Sequence, residues 1–364
     1  MSLLKRIICC AVALTFSVSV LAGCTGQTKN QESQTSISSQ TSEVSEEESS
    51  SSGEIVLTDQ IGRTVTLEQP AEKVVSAYYL SSSLLIALGA QDKLVGIEMK
   101  AETRELYRQA APEFLELPAV GSGKGINVEE TAALEPDLVI LPKKLQDSVA
   151  QFEALNIPVM VIDPETMENF LTTVSLLGQA TGCDDRAQQL TSYYREVMED
   201  VSSRTKDLEE KPLVYLAGSD MLSTAGAGMY QNDLIEMAGG VNAAASIDMD
   251  QWADISAEQL VAWNPEKVFL VNYADYTRDD FLADTRFANL KAMENPEENV
   301  LVFPGELEPW DYPTASSVLG ILWLANQLHP DVVSQEEYET AVSDFYKTYF
   351  NLDVDAVEAE QPAA

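Results

Sequence analysis

The sequence predicts an α/β protein. Two Rossmann-like lobes with mostly parallel sheets are joined by one long α-helix, with a ligand cleft between the lobes. Three observations carry this expectation. The chain states one helix–strand unit twice, as NVEETAALEPDLVIL over residues 127–141 and SAEQLVAWNPEKVFL over residues 256–270. Short apolar runs alternate with helix-period stretches, an order that favours parallel sheets covered by helices. One unbroken helical pattern falls between the two copies.

In the repeat, Glu129 matches Glu258, Pro136 matches Pro265 and Leu141 matches Leu270. Asn127 and Ser256 each stand three residues before Glu130 and Gln259. That spacing is a capping box, which satisfies the free N–H groups of a helix start. Two similar units imply two similar lobes, and clefts between lobes are common ligand sites.

The elements follow in order. Lys5 and Arg6 precede an apolar run from Ile7 to Val20 and then Leu21-Ala22-Gly23-Cys24. A basic start, a short apolar core and small residues describe a secretory signal over residues 1–23. LAGC resembles the bacterial lipobox, which implies cleavage before Cys24 and a diacylglycerol on its sulfur. Residues 24–53 are the lipidated cysteine and a Ser/Glu-rich tether, too poor in apolar residues to fold. As a flexible coil it reaches about 30 Å. The N-terminal lobe spans 54–183, with strands at Val74–Ala77, Leu94–Glu98, Leu138–Leu141 and Pro158–Ile162. The linking helix spans 184–210, carrying Leu190, Tyr193, Tyr194, Val197, Met198 and Val201, with no Gly or Pro before Pro212. The C-terminal lobe spans 211–350, with strands at Leu213–Ala217, Val268–Asn272 and Val300–Phe303. Leu84–Gly89 and Leu234–Gly239 are matching helix ends, each closed by a glycine in the left-handed conformation. Residues 351–364 read as a disordered tail.

The formal charge is −37, which argues against nucleic acid and bare anionic lipid as partners. Cys9 and Cys10 leave with the signal and Cys24 takes the lipid. Cys183 then stands alone, and no internal disulfide is expected. His329 is the one histidine. It cannot supply the several ligands of a zinc site, nor a base for a Ser–His or Cys–His pair. No enzyme activity is expected.

Several further motifs resemble one family. They are Asp59-Gln60-x-Gly62-Arg63-x-Val65-x-Leu67, Pro70-Ala71-x-Lys73-Val74-Val75-Ser76, Leu88-Gly89-Ala90, Val120-Gly121-Ser122, Asn127-Val128-Glu129, Pro136-Asp137-Leu138-Val139, Gln231-Asn232 and Gly239-Gly240-Val241-Asn242. Their order and spacing, from residue 54 to about 345, are similar to iron-siderophore, haem and cobalamin binding proteins, the substrate-binding components of ABC importers. The resemblance implies a cleft ligand, a ferric chelate, cobalamin or haem, and no covalent cofactor apart from the lipid. It also implies one glutamate on each lobe that docks on a permease dimer, and through it on the ATPase. Those positions match Glu129 and Glu258. A lipid-anchored, extracytoplasmic monomer follows. A haem importer component, a surface sensor or adhesin, and an extracytoplasmic enzyme on the same fold are the alternatives.

Pocket residues in such a fold come from loops at strand ends. The candidates are Tyr78, Tyr79, Ser122, Lys124, Ser223, Met229, Tyr230, Trp252, Tyr273, Trp310 and Asp311. The aromatic members offer flat apolar area with a polar tip, suited to a large ligand. Gly121-Ser-Gly-Lys-Gly is not a nucleotide loop, because Pro118 stands where the first glycine belongs. Lys124 is the expected pocket cation, since Arg278 and Arg286 are badly spaced. A highly anionic ligand is not expected unless a metal screens its charge. Tyr78, Tyr79, Tyr230 and Tyr273 are the candidate haem ligands.

Overall fold

The computed structural model describes residues 53–356 and Ala359. The expectations for the signal, Cys24 and nearly all of the tether lie outside the described residues.

The first half runs β1 (Ile55–Thr58), β2 (Thr64–Leu67), β3 (Val74–Ser76), α1 (Tyr79–Ala87), β4 (Leu94–Glu98), α2 (Glu105–Ala110), β5 (Ala119–Ser122), β6 (Gly125–Ile126), α3 (Val128–Ala133), β7 (Leu138–Pro142), α4 (Val149–Glu153), β8 (Val159–Ile162) and α5 (Met167–Thr181). Then comes α6 (Asp184–Thr205), 22 residues long. The second half runs β9 (Leu213–Ala217), β10 (Ser223–Ala225), α7 (Tyr230–Met237), β11 (Val241–Asn242), β12 (Trp252–Asp254), α8 (Ala257–Trp263), β13 (Lys267–Leu270), α9 (Arg278–Ala283), α10 (Pro296–Asn299), β14 (Val300–Val302), α11 (Val318–Leu328) and α12 (Gln335–Phe350).

Two six-stranded sheets result, in the orders β6-β5-β4-β3-β7-β8 and β12-β10-β9-β13-β14, with β11 also beside β9. The first is parallel except for the β5–β6 hairpin. In the second, β9, β11, β13 and β14 run parallel and β10 runs against β9 and β12. The strand period of two decides the layers. Val75, Val139, Leu141, Val159 and Val161 point into an outer core with α4. Tyr215, Ala217, Val268 and Leu270 point into a second outer core with Leu260 of α8 and Phe281 of α9. The alternate residues, Val74, Leu138, Ile140, Met160 and Ile162 in the first sheet and Val214, Leu216 and Phe269 in the second, join one inner core with α1, α5, α6, α7, α11 and α12. Both sheets therefore share a single core, and the described residues belong to one compact unit.

The central strands match the sequence expectation because both of their faces are buried, which makes them continuous apolar runs. The two expected glycine caps are present, with φ of 73° at Gly89 and 85° at Gly239. Some elements depart from expectation. The long helix stops at Thr205, one turn early, and β13 stops at Leu270. The β1–β2 hairpin and the short strands β5, β6, β10, β11 and β12 were not foreseen. They run to only two to four residues, too few for a period to show. The tail expected to be disordered from residue 351 is packed over its described part. Val354, Ala356 and Ala359 are buried in the inner core, and Ala359 accepts the Glu306 N–H at 3.4 Å.

Several motifs that carry the family resemblance hold the fold. The Asp59 carboxylate accepts the N–H groups of Ile61, Arg63 and Val161 and pairs with the Arg63 guanidinium. Asp137 accepts the N–H groups of Glu72 and Lys73. Asn242 donates to Ala225 O and Asn232 Oδ1 and accepts from Ala244 N.

Candidate ligand-binding cleft

The chain leaves β3 through Tyr78, which caps the start of α1. Its carbonyl accepts the Ser81 hydroxyl at 2.8 Å, so the backbone there is fixed. Its own hydroxyl lies 3.4 Å from Glu165 Oε1, in the turn before α5, and beside Tyr312. Burial pushes the Tyr78 hydroxyl well above its usual pKa, helped by Tyr312 and Glu165. Glu165 is also raised by burial, against the pull of Lys144.

From the second half, Tyr273 follows β13 and donates to Asp311 Oδ2 at 2.9 Å. The residue stays 41% exposed and its ring meets Tyr312 edge-on at 6.3 Å, while its hydroxyl is held inside. Asp311 is fully buried. Its Oδ1 has no hydrogen-bond partner, and burial pushes its carboxyl up to about 7, against the bond from Tyr273. Three phenols and two carboxyls thus meet from both halves of the chain. With pKa values raised throughout, the phenols remain donors near neutral pH and the carboxyls hold protons longer than usual.

Arg104 stands just before α2. Its guanidinium lies 3.9 Å over the Tyr79 ring; burial raises the hydroxyls of both Tyr79 and Tyr312, and the Arg104 charge opposes that rise. Beneath it the Glu98 carboxyl, at the end of β4, accepts the Ser82 hydroxyl at 2.6 Å and the Tyr107 hydroxyl at 2.7 Å. Burial raises the Glu98 pKa. Glu308 is likewise buried and raised. It accepts from Ser316 N at 2.8 Å and from the hydroxyls of Ser316 and Ser83.

Of the residues named from sequence, Tyr78, Tyr273 and Asp311 fall in this cluster and Tyr79 lies under Arg104. Trp310 is a correction. It is fully buried and donates its indole N–H to the Tyr346 hydroxyl of α12 at 3.0 Å, so it is a core residue. Tyr230 is also buried, its hydroxyl 2.6 Å from Ser317 Oγ and its ring against Phe170 at 6.0 Å. Met229 and Ser223 are buried too. Trp252 is half-buried on β12 against Gly218. Gly123 and Lys124 form the tip of the β5–β6 hairpin, where Ser122 Oγ accepts the Lys124 N–H at 3.2 Å. Lys124 is exposed. Sequence reasoning missed Arg104 and Glu165. Each lies in an irregular turn with no period or motif, and only the fold brings them to the tyrosines.

Glu129 and Glu258 are both exposed in the first turns of α3 and α8. Asn127 and Ser256 cap these helices by accepting the N–H groups of Glu130 and Gln259, at 3.2 and 3.1 Å. The reciprocal bond expected of Glu130 and Gln259 is not formed in either copy. Instead the Glu258 carboxyl is held below its usual range by its own N–H and the Ser256 hydroxyl. His329 serves the fold, its Nε2 lying 3.1 Å from Gly239 O. Among the described residues, no helix is long and apolar enough to cross a membrane.

Two mostly parallel sheets share one core with a long helix, and side chains from both halves of the chain meet around Tyr78, Tyr273 and Asp311. The chain belongs to the periplasmic binding protein family, whose model matches residues 74–297. It is 25% identical over 321 residues to the molybdate-binding protein of Haemophilus influenzae, covering 81% of this chain and 90% of that protein. It is 27% identical over 202 residues to a vitamin B12-binding protein of Yersinia pestis, covering 55% and 69%. The structure of the Haemophilus protein bound to molybdate has a TM-score of 0.74 at 23% identity, over 82% of this chain and 98% of that one. The chain is thus a periplasmic binding protein of the ABC-importer type.

Proposed function

We propose that this protein captures an intact metal chelate of the iron-siderophore type, or cobalamin, and delivers it to an ABC permease. The observation that supports this best is the cluster of Tyr78, Tyr273, Tyr312, Glu165 and Asp311. It offers broad aromatic faces and phenolic donors, with carboxyls that burial keeps closer to neutral. Such a wall suits the oxygens and rings of a preformed complex better than a bare cation, which needs ionised ligands. The named ligands of two relatives, molybdate and vitamin B12, both contain a metal. The same reading divides the chain into lobes at 54–183 and 211–350 about the helix segment 184–210. It places a lipid on Cys24 and the permease contacts on Glu129 and Glu258, and assigns no catalysis to the cleft.

Protein purified from its native host tests this. Visible absorbance and mass spectrometry of the bound material should reveal a ferric chelate, a corrinoid or a related metal complex. A purely organic ligand, together with no fluorescence response to ferric catecholate, cyanocobalamin or haem, would overturn it.

A further inference from the structure

We propose that Asp311 is the acceptor for a hydrogen-bond donor on the ligand, so that the cleft takes a neutral or cationic complex bearing an N–H or O–H group. This rests on the cleft being the ligand site and narrows what the cleft takes. Four acidic residues among those described are buried: Asp59, Glu98, Glu308 and Asp311. Three have both carboxyl oxygens occupied. Asp59 takes the N–H groups of Ile61 and Arg63 on Oδ1, and those of Val161 and the Arg63 guanidinium on Oδ2. Glu98 takes the Tyr107 hydroxyl on Oε1 and the Ser82 hydroxyl on Oε2. Glu308 takes the N–H and hydroxyl of Ser316 on Oε1 and the Ser83 hydroxyl on Oε2. Asp311 takes the Tyr273 hydroxyl on Oδ2, and its Oδ1 is buried without a partner. The three filled carboxyls bond groups of the chain itself and serve the fold. An empty buried acceptor destabilises the fold that holds it, and a donor on the ligand removes that cost.

The surroundings suit a donor. No Lys or Arg pairs with Asp311 among the described residues; the Tyr273 hydroxyl and its own N–H are what favour its charge. That charge reaches Tyr273 after β13, Tyr312 on the same loop and Tyr230 at the start of α7. All three phenols are raised by burial and stay protonated near neutral pH. Glu165, the second carboxyl of the cluster, acts on Tyr273 and Tyr312 as well. Two carboxyls with no cation bonded to either disfavour an anion and favour an N–H or O–H, most of all on an ammonium. Tyr273 covers the carboxyl. It is the one side chain bonded to Asp311 among the described residues and is itself exposed, so rotation of a single side chain opens Asp311 to the ligand.

The test is titration of the full protein, wild type and Asp311→Asn, with three probes at pH 6 and pH 8. Cyanocobalamin is neutral and carries amide N–H groups. Ferrioxamine B carries a pendant ammonium. Ferric catecholate is an anion without an N–H donor. Near- and far-UV circular dichroism checks the fold. A donor-bearing probe should bind the wild type best. Asp311→Asn keeps an acceptor for Tyr273 and turns the free oxygen into an N–H. It should lose roughly 10- to 100-fold in affinity for that probe at pH 8. Burial pushes the Asp311 carboxyl up to about 7, so the wild type should bind the probe about tenfold more tightly at pH 8 than at pH 6. The variant should lose that gain, while any contribution from Glu165 is common to both proteins. Equal affinity of the two proteins for the donor-bearing probe, or tightest wild-type binding of ferric catecholate, overturns the proposal and leaves the importer function standing. If Asp311→Asn does not fold, wild-type affinity that stays flat or falls from pH 6 to pH 8 overturns it instead. No binding of any of the three probes overturns both.

Discussion

Replacing Asp311 by asparagine isolates one buried charge. The Asp311 carboxyl is fully buried, takes one hydrogen bond from Tyr273 and leaves Oδ1 without a partner. Burial raises it from 3.8 to about 7. A folded-state pKa above the unfolded one means that the native protein holds this proton more tightly. The stabilising contribution is therefore complete below about pH 4 and is lost as pH rises to about 7. The gap corresponds to about 4 kcal/mol. In Asp311→Asn the side-chain amide cannot ionise, yet its carbonyl can still accept the Tyr273 hydroxyl. Near pH 4 the two proteins should differ by less than about 1 kcal/mol. Near pH 8 the variant should be the more stable by about 3–4 kcal/mol, roughly 5–10 °C in Tm for a chain of this size. Thermal and urea unfolding of both proteins from pH 4 to 8 measures this. Subtracting one curve from the other removes the contributions of Glu98, Glu165 and Glu308, whose carboxyls burial also raises. A difference that stays flat across pH would refute the reasoning.

Two further substitutions probe other parts of the structure. The Tyr194 hydroxyl on α6 lies 3.0 and 2.9 Å from the carbonyls of Thr314 and Ala315 and accepts the Val318 N–H at 3.1 Å. Tyr194→Phe keeps the ring on Phe170 but should cost about 1–3 kcal/mol, and a loss in urea unfolding below about 0.5 kcal/mol would contradict that bonding. Charge reversal at both docking positions, Glu129→Arg with Glu258→Arg, should lower uptake in cells strongly and leave ligand affinity intact, because both side chains are exposed. Unchanged uptake sinks their proposed role.

The parts of the fold that could be read from sequence are those with strong periodic or compositional constraint. β7 and β8 are buried on both faces, and the α1 and α7 caps need a residue at positive φ. The cleft is a different case. Between Glu308 and Tyr312 the chain has no period, so neighbouring residues point in unrelated directions. Trp310 turns into the core against Tyr346, while Asp311 turns toward Tyr273. Residue type alone favoured both as ligand contacts. Arg104 and Glu165 sit in turns that no motif marks. The motifs that do stand out at Asp59, Asp137 and Asn242 bond backbone groups, so they report the fold and carry no information about the ligand.

The shared inner core limits how the two halves can move. Tyr230 N donates to Glu165 O at 2.9 Å and Met167 N to Asp233 Oδ2 at 3.2 Å, both tying α5 to α7. Leu106 N donates to Leu307 O at 3.3 Å, and the Ser83 hydroxyl binds the buried Glu308 carboxyl. A wide rotation about α6 would break these bonds together. Losing the Ser83 hydrogen bond to the Glu308 carboxyl would alone cost about 1–3 kcal/mol, before the apolar surface of α1, α5, α11 and α12 met water at about 25 cal/mol per Å². Side-chain and loop movement is far cheaper, and Tyr273, itself 41% exposed, stands where such movement admits a ligand. Ligand binding should therefore change the radius of gyration by less than about 1 Å, well below the motion of a free hinge. Small-angle X-ray scattering with and without the bound chelate measures this, and a contraction of several ångströms would show that the inner core parts when the cleft opens.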